Sequence, residues 1–290
     1  MRKENRIFAL QIKYIQRKYK RMALKFLSLA SGSSGNCYFV GTDDYGILFD
    51  AGISTRLLRK ILKENGIGLE QIMAVFITHE HNDHIRSVGG LGEKYGIPVY
   101  ATEKVHVGID NNLSENERLY TSRRIIEKEI AVPVKEFKIT AFDVPHDSIE
   151  CVGYLVTYKE HKLVIATDVG HINEKVSEYV RIANHLIIEA NYDREMLKNG
   201  KYPPFLKERI SNGNGHLCNS ETAAFLAANF DLHLKNIWLC HLSRDNNHPE
   251  LAYKTVEMAM QQYGIRIGKD VNLVALKRTT PSEMFILENS

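Results

Sequence analysis

Residues 78–84 read Thr78-His79-Glu80-His81-Asn82-Asp83-His84, which places three imidazoles and an aspartate within six residues. The cluster begins just past an apolar run, 73–77, that has the length of a β-strand. Neutral imidazole and carboxylate suit Zn²⁺, Mn²⁺ and Fe. In an extended segment His79 and His81 point to one side, and Asp83 and His84 can point to another as the chain turns into a helix. The stretch therefore predicts a site for two adjacent metal ions.

Outside this stretch, the predicted strands and helices form two similar halves. Each half has strands, a helix, a strand and a further helix, which predicts two β/α units packed sheet to sheet with helices outside. The predicted strands are 24–30, 37–40, 46–49, 73–77, 98–101, 134–144, 153–158, 163–166, 186–188, 237–240 and 271–276. The predicted helices are 54–65 (capped by Ser54 or Thr55), short helices between 192 and 210 broken at Pro203-Pro204, 221–229 (capped by Asn219 or Ser220) and 249–263.

The charge of the chain is concentrated in its first residues. Residues 1–22 carry eight Lys/Arg against Glu4, so the formal charge of +3 leaves −4 for residues 23–290. The bulk charge of this body gives no support for nucleic-acid binding. We predict a basic N-terminal extension, 1–22, followed by one hydrolase domain, 23–290. For the extension we favour a disordered tail, or an artefact of start-site choice, over a helix that binds a membrane surface or nucleic acid.

The four cysteines have wide, irregular spacings and form no CxxC pair. We predict reduced thiols in a cytoplasmic protein, with Cys37 and Cys240 as packing residues because both lie in strand-like runs. The longest apolar runs are far shorter than the roughly 20 residues that a membrane helix needs. The sequence therefore predicts no membrane association.

The HxHxDH pattern of residues 79–84 resembles the signature of the metallo-β-lactamase superfamily. The resemblance implies an α/β protein, a four-layer αβ/βα sandwich, with further metal ligands at later strand ends. Three residues match those positions in order: His146 follows strand 134–144, Asp168 follows the 153–166 hairpin, and His241 follows strand 237–240. Singly each is an ordinary residue, but their order makes accidental placement a poor explanation.

The resemblance also implies a role for each candidate ligand. His79, His81 and His146 would hold the first metal, and Asp83, His84 and His241 the second. Asp168 and a hydroxide would bridge the two ions. Asp50, in Leu48-Phe49-Asp50-Ala51-Gly52, matches an early aspartate of the superfamily and would orient a ligand. The two divalent ions would be Zn or Mn, or alternatively Fe.

Three further segments resemble the bacterial YycJ/WalJ branch, whose members are described as DNA exonucleases acting on 5′ ends. They are Ser31-Gly32-Ser33-Ser34-Gly35-Asn36, Gly215-His216-Leu217-Cys218-Asn219 and His241-Leu242-Ser243-Arg244-Asp245-Asn246-Asn247. The resemblance runs from about Leu24 to the C-terminus. Cys218 departs from the expected Ser, and a thiol is a weaker hydrogen-bond donor.

These segments supply candidate substrate contacts, each with a structural alternative. Ser33, Ser34 and Asn36 can present hydroxyls and N–H groups to an anion, or form a tight β-turn beside the site. His216 can donate to a phosphate oxygen near a helix N-terminus, or pack at the helix entry. Ser243 and Asn247 can touch substrate or brace the His241 loop, and bracing is favoured.

The function predicted from these residues is that of a dinuclear metal-dependent hydrolase, a phosphodiesterase that acts as a 5′-to-3′ exonuclease on single-stranded DNA or DNA ends. A metal-bridging hydroxide would attack phosphorus, with Asp83 holding its proton and His216 near the leaving oxygen. One alternative is a hydrolase of small esters, thioesters or phosphodiesters on the same fold. Another is a metal-binding protein without catalysis.

Overall fold

Two seven-stranded mixed β-sheets form the centre of the molecule in the computed structural model, which describes residues 23–287. The predicted basic extension, 1–22, lies outside the described residues. The strands are β1 (Leu24–Gly32), β2 (Gly35–Gly41), β3 (Gly46–Phe49), β4 (Ile72–Phe76), β5 (Val99–Ala101), β6 (Arg123–Ile125), β7 (Val132–Val134), β8 (Phe137–Asp143), β9 (Val152–Tyr158), β10 (His161–Ala166), β11 (His185–Glu189), β12 (Asn236–Cys240), β13 (Asn272–Ala275) and β14 (Phe285–Leu287). The helices are α1 (Thr55–Glu64), α2 (Asn82–Ile85), α3 (Glu103–Asn112), α4 (Glu174–Arg181), α5 (Arg194–Asn199), α6 (Pro204–Ser211), α7 (Asn219–Ala228) and α8 (Pro249–Gln262).

The two sheets have matching topologies. The first has the order β14-β1-β2-β3-β4-β5-β6, and the second has the order β13-β12-β11-β10-β9-β8-β7. In each sheet an antiparallel part continues into four parallel strands, β3 to β6 in the first and β10 to β13 in the second. The carboxyl ends of parallel strands lie at one edge of a sheet, where α/β proteins bind ligands.

Three apolar layers separate the sheets from each other and from the helices. The middle layer, between the sheets, contains buried aromatic side chains such as Phe49, Phe76 and Trp238. One outer layer includes Leu58 of α1, and the other includes Val256 of α8. Burying each such large side chain contributes about 1.5–3 kcal/mol. Three apolar layers require four layers of secondary structure, so the predicted αβ/βα sandwich is confirmed.

Two helix starts test the predicted caps. Helix α1 begins as predicted, since the hydroxyl of Ser54 accepts a hydrogen bond from the N–H of Leu57. The predicted cap of α7 is wrong, because Cys218 rather than Asn219 or Ser220 occupies the N-cap position. The Asn219 amide instead donates to Oδ1 of Asn247 at 2.9 Å, so this polar side chain is used for a loop contact.

All four cysteines are free and buried. Burial raises the pKa of Cys37 and of Cys240 well above the usual value, so both thiols stay protonated inside the core. Their predicted packing role is confirmed. Within residues 23–287, no helix combines the length and the apolar character that crossing a membrane requires.

A row of polar side chains crosses the second sheet at the amino ends of its parallel strands. The amide of Asn236 donates to Nδ1 of His185 at 2.9 Å, and Nε2 of His185 lies 3.0 Å from Nδ1 of His161. This pattern suits a neutral His185 that accepts at Nδ1 and donates at Nε2. Burial, followed by the neighbouring His161, lowers the pKa of His185 to about 3.

We predict that His185 makes the stability of the fold depend on pH. The unfolded chain protonates this imidazole near pH 6.5, but the folded chain does so only near pH 3. The stabilisation is therefore complete above pH 6.5 and is lost as the pH falls towards 3, by up to about 1.4 kcal/mol per pH unit. Urea unfolding of H185Q between pH 7 and 5 should give a shallower pH dependence than the parent protein. H248N, at an exposed helix cap, should keep the parental slope, and an unchanged slope in H185Q would contradict the prediction.

Candidate metal centre

The seven predicted metal ligands meet at one edge of the sandwich, just past the carboxyl ends of four strands. The 79–84 loop follows β4 of the first sheet. The second sheet contributes His146 after β8, Asp168 after β10 and His241 after β12. The fold therefore brings together side chains that are spread over some 160 residues of the sequence.

The first group of donors consists of His79, His81 and His146, whose ligand atoms lie within 4.8 Å of one another. Nδ1 of His146 donates to the carbonyl oxygen of Gly215 at 2.9 Å, so its Nε2 carries a lone pair. Nε2 of His79 and Nε2 of His146 are both buried, and no hydrogen-bond partner for either lies within residues 23–287. Buried nitrogen lone pairs without partners are the donors that a divalent metal satisfies.

The second group consists of Asp83, His84 and His241, again within 4.8 Å. Oδ2 of Asp83 lies 3.5 Å from Nε2 of His84 and 3.4 Å from Nε2 of His241. Each imidazole uses its other nitrogen elsewhere, since Nδ1 of His84 donates to Asp50 at 2.7 Å and Nδ1 of His241 donates to Glu189 at 2.9 Å. Both Nε2 atoms are thus oriented towards the shared space.

Asp168 lies between the two groups. Its Oδ2 is 3.3 Å from Nε2 of His84, and its Oδ1 is 3.8 Å from Nε2 of His146. The Thr167 hydroxyl donates to Oδ2 at 2.7 Å and fixes the carboxylate. Asp168 thus approaches one imidazole of each group, and its bridging role stays a prediction. Each group takes two donors from the first sheet and one from the second, and the donor set fits divalent metal ions.

Asp50 has the surroundings of a residue that orients a ligand. It is fully buried and accepts hydrogen bonds from the N–H and the hydroxyl of Thr78 as well as from Nδ1 of His84. Such contacts fix the tautomer and the direction of a metal-binding imidazole. Asn36 approaches the same ring from the other side, with its amide 3.0 Å from Nε2 of His84.

Glu189, the last residue of β11, belongs to the site but escaped the sequence analysis. It is completely buried, and its Oε1 accepts from Nδ1 of His241 at 2.9 Å and from Nδ1 of His216 at 2.8 Å. Its Oε2 accepts from the N–H groups of Val169 and Leu217. The available signal was an acidic residue at the end of an apolar strand, the position that also marks the predicted ligands.

The carboxylates shift the pKa values of the buried imidazoles. Burial alone lowers the pKa of His84, but Asp50 and Asp168 outweigh it and raise the pKa well above its usual value. Burial also lowers the pKa of His241, but Asp168, Asp83 and Glu189 together outweigh burial and raise the pKa to about 10. Burial dominates at His79 and lowers its pKa well below the usual value. The carboxylates thus favour positive charge at the centre, as a cation site requires.

The buried imidazoles in turn lower the pKa values of the carboxylates. Burial raises the pKa of Asp168, but His241 is the main neighbour that lowers it, and the net shift is downward. Burial also raises the pKa of Glu189, but His216 is the main neighbour that lowers it, and the net shift is again downward. His216 itself has a raised pKa, because Glu189 and Asp168 outweigh its burial. Both carboxylates therefore stay ionised within the protein.

Three of these strand-end residues have a strained backbone. The φ angles are 58° for Asp50, 54° for Asp168 and 52° for His241, in the left-handed region that L-residues rarely adopt. Each such residue costs about 1–3 kcal/mol, and such strain collects at functional sites. The sharp turn after each strand sends the side chain towards the shared centre rather than along the sheet.

A pocket of about 200 Å³ opens beside the donors, and His216 and His241 line it. Ser33 and Ser243 line it too, whereas Ser34 is exposed in the two-residue turn between β1 and β2. The loop 31–36 is therefore a tight hairpin turn beside the site. Asn247 donates to the carbonyl oxygens of Ala190 and Asn191, and this contact corresponds to the bracing alternative.

A four-layer sandwich with histidines and aspartates gathered at one edge defines the class of metal-dependent hydrolases of the metallo-β-lactamase fold. The family model described as the beta-lactamase superfamily domain matches residues 45–236. The chain is 35% identical over 251 residues to exodeoxyribonuclease YycJ of Bacillus anthracis, which covers 86% of this chain and 93% of the relative. The chain therefore belongs to the metallo-β-lactamase superfamily, in its YycJ/WalJ branch, and the predicted resemblance is confirmed.

A second relative and a solved structure agree with this assignment. Exodeoxyribonuclease WalJ of Streptococcus pneumoniae serotype 2 is 34% identical over 249 residues, which are 86% of this chain and 93% of WalJ. The crystal structure of the metallo-β-lactamase fold protein YhfI from Bacillus subtilis superposes with a TM-score of 0.66 at 17% identity, covering 90% of this chain and 99% of YhfI. The last comparison concerns the fold alone.

We predict that the double variant D83A/H84A loses bound metal and nearly all turnover, because it removes two of the three donors of the second group. A loss of several kcal/mol of metal-derived stabilisation corresponds to at least about a 100-fold lower rate. Metal content by mass spectrometry and hydrolysis of a phosphodiester check both effects. The matched control D231A/H233A removes an Asp–His pair at the surface and should change neither. Full metal content and turnover in D83A/H84A would contradict the prediction.

Proposed function

We propose that this protein is a dinuclear metal-dependent phosphodiesterase that degrades DNA as a 5′-to-3′ exonuclease. The observation that carries the phosphodiesterase assignment is the pair formed by His216 and Glu189 at the pocket. Nδ1 of His216 is bound to the buried Glu189 at 2.8 Å, and the ring lines the pocket beside His241. A phosphodiester of DNA releases an alkoxide, which needs a proton donor at this position.

When bound, two divalent ions supply an activated water and neutralise charge on the phosphoryl oxygens. His79, His81 and His146 would hold one ion, and Asp83, His84 and His241 the other, with Asp168 between them. We propose Zn or Mn, with Fe as the further alternative.

Two side chains can carry out the proton transfers of the reaction. Asp83, whose side chain is 20% exposed where that of Asp168 is 2% exposed, can take up the proton of the attacking water. His216 can donate a proton from Nε2 to the leaving oxygen, because Glu189 holds its other nitrogen. Ser33 and Ser243 at the pocket rim can contact the substrate.

The choice of DNA rests on the relatives, since YycJ and WalJ are named exodeoxyribonucleases. We propose single-stranded DNA or DNA ends as the substrate and the cytoplasm as the location. The predicted alternatives, a hydrolase of small esters or thioesters and a metal-binding protein without catalysis, would use the same fold.

End-labelled oligonucleotides test the activity directly. The metal-loaded protein should shorten a single strand stepwise from its 5′ end and should leave a panel of carboxylic esters and thioesters almost intact. Hydrolysis of the esters with no digestion of DNA would contradict the proposal in favour of the first alternative. A metal-loaded protein that turns over neither would favour the second.

We predict that H216A slows cleavage of DNA by about 100- to 10,000-fold, the usual contribution of a positioned general acid. A p-nitrophenyl phosphodiester should lose far less, because p-nitrophenolate leaves without a proton. The ratio of the two rates therefore measures leaving-group protonation, and metal content should stay parental.

H171A is the matched control, since His171 is exposed and its Nδ1 donates to the carbonyl oxygen of Gly213. It should retain both activities. Equal losses on both substrates in H216A would show that His216 does not act on the leaving group.

A further inference from the structure

A large cleft in the described part of the chain is basic and is lined by none of the predicted metal ligands. It has a volume of about 890 Å³ and is lined by α1 and by the segment that includes Lys94 and Tyr95. The basic groove, as we call it, presents five exposed cations and one lining acid, Glu70, within the described residues. Its cations are Arg56, Arg59, Lys60, Lys63 and Lys94.

The cations of α1 form a stripe along a single helical face. The stripe has the helical spacing i, i+3, i+4 and i+7 and consists of Arg56, Arg59, Lys60 and Lys63. The opposite face of the helix buries Leu58. Like charges at these spacings destabilise a helix. Arg56 also occupies the first turn, where the helix dipole disfavours a cation. An ordinary solvated face mixes both signs of charge.

Local contacts relieve little of this charge. Lys60 lies 3.8 Å from Glu64, and the guanidinium of Arg59 donates to the hydroxyl of Tyr95 at 3.0 Å. Arg59 and Lys94 both stack near the Tyr95 ring, at 5.4 and 5.6 Å from its centroid. These contacts orient the cations without neutralising them. The groove is therefore positive, although residues 23–290 carry a net charge of −4.

The chain that leads into helix α1, one wall of the groove, contacts the loop that carries the predicted ligands. Gly52, three residues before α1, packs its backbone against the carbonyl of Asp83. The N–H of Ala51 donates to the carbonyl of His84 at 2.7 Å, and that of Gly52 to Asn36 at 2.8 Å. Helix α1 then leads away from this contact over about 15 Å.

We propose that the basic groove binds the phosphate backbone of the nucleic-acid strand whose end lies at the metal centre. This inference rests on the proposed function and adds the surface that holds the substrate. From Arg56 to Lys63 the helix rises by about 10 Å, and one strand of duplex DNA carries about three phosphates over that length, a number close to that of the four cations. A small anion would instead need donors that converge on one point, and an acidic peptide lacks the regular spacing of charge.

The test compares the parent protein with R56Q/R59Q/K60Q/K63Q, in which Gln keeps the helix propensity. Binding of a long, phosphorothioate-linked single strand to the metal-loaded protein is measured against salt concentration. The slope of log K against log salt is negative, and each lost phosphate contact reduces its magnitude by about 0.7. We expect the magnitude of the slope to decrease by about 2–3 in the quadruple variant. We also expect binding at low salt to weaken at least about tenfold.

Two comparisons separate this groove from the metal centre. The p-nitrophenyl phosphodiester is too short to reach the groove, so its turnover by the quadruple variant should stay parental. The control K175Q/K254Q/R266Q removes exposed cations from the helical layer of the other sheet and should keep the parental slope and affinity.

Parental affinity and salt slope in the quadruple variant would overturn the proposal, whether or not the protein digests DNA. Binding of poly-glutamate to the groove without binding of the oligonucleotide would also overturn the proposal. If the quadruple variant also loses the small diester, single variants decide: stepwise slope losses in R56Q, R59Q and K63Q support the groove, and unchanged slopes overturn it. A parent protein that binds DNA through the groove without cleaving it would refute the proposed function alone.

Discussion

The buried hydrogen bond between Nδ1 of His84 and Oδ2 of Asp50, 2.7 Å long, is the contact on which the centre depends. It joins the loop after β4 to the end of β3 and directs Nε2 of His84 into the space shared with Asp83 and Asp168. Neither partner is tolerable alone, because a buried ionised group without its counterpart costs several kcal/mol. The left-handed backbone of Asp50 is acceptable because this contact and those to Thr78 hold it in place.

Much of the architecture could be predicted from the sequence, because hydrophobic patterning sets which segments can be buried. The strands around the 79–84 motif and the helix after Ser54 fall close to their predicted bounds. Helix α3 was missed, since His106 and Gly108 interrupt its buried face. Helix α4 carries a usable signal in Val176, Tyr179 and Val180 behind the cap at Asn173, although it is only two turns long.

The later candidate ligands were located through the resemblance to the superfamily, whose ligands directly follow strands. That resemblance brought out His146, Asp168 and His241 but gave no role to Glu189, which ends β11 itself. Its partners, His216 and His241, lie 27 and 52 residues away, so the pairing is tertiary. The basic groove was missed because the summed charge of the body is negative, although the spacing of the four α1 cations can be read from the sequence. Only the fold places Lys94 and Tyr95 beside them.

The division of donors between the sheets has a mechanical consequence. Each group takes its side chains from both halves of the sandwich. A bound cation therefore cross-links the two halves at the interface between them. Neither half alone can retain it, so metal uptake is thermodynamically linked to the docking of the halves. The content of tightly held metal in a preparation is then a measure of how many molecules have completed their tertiary assembly.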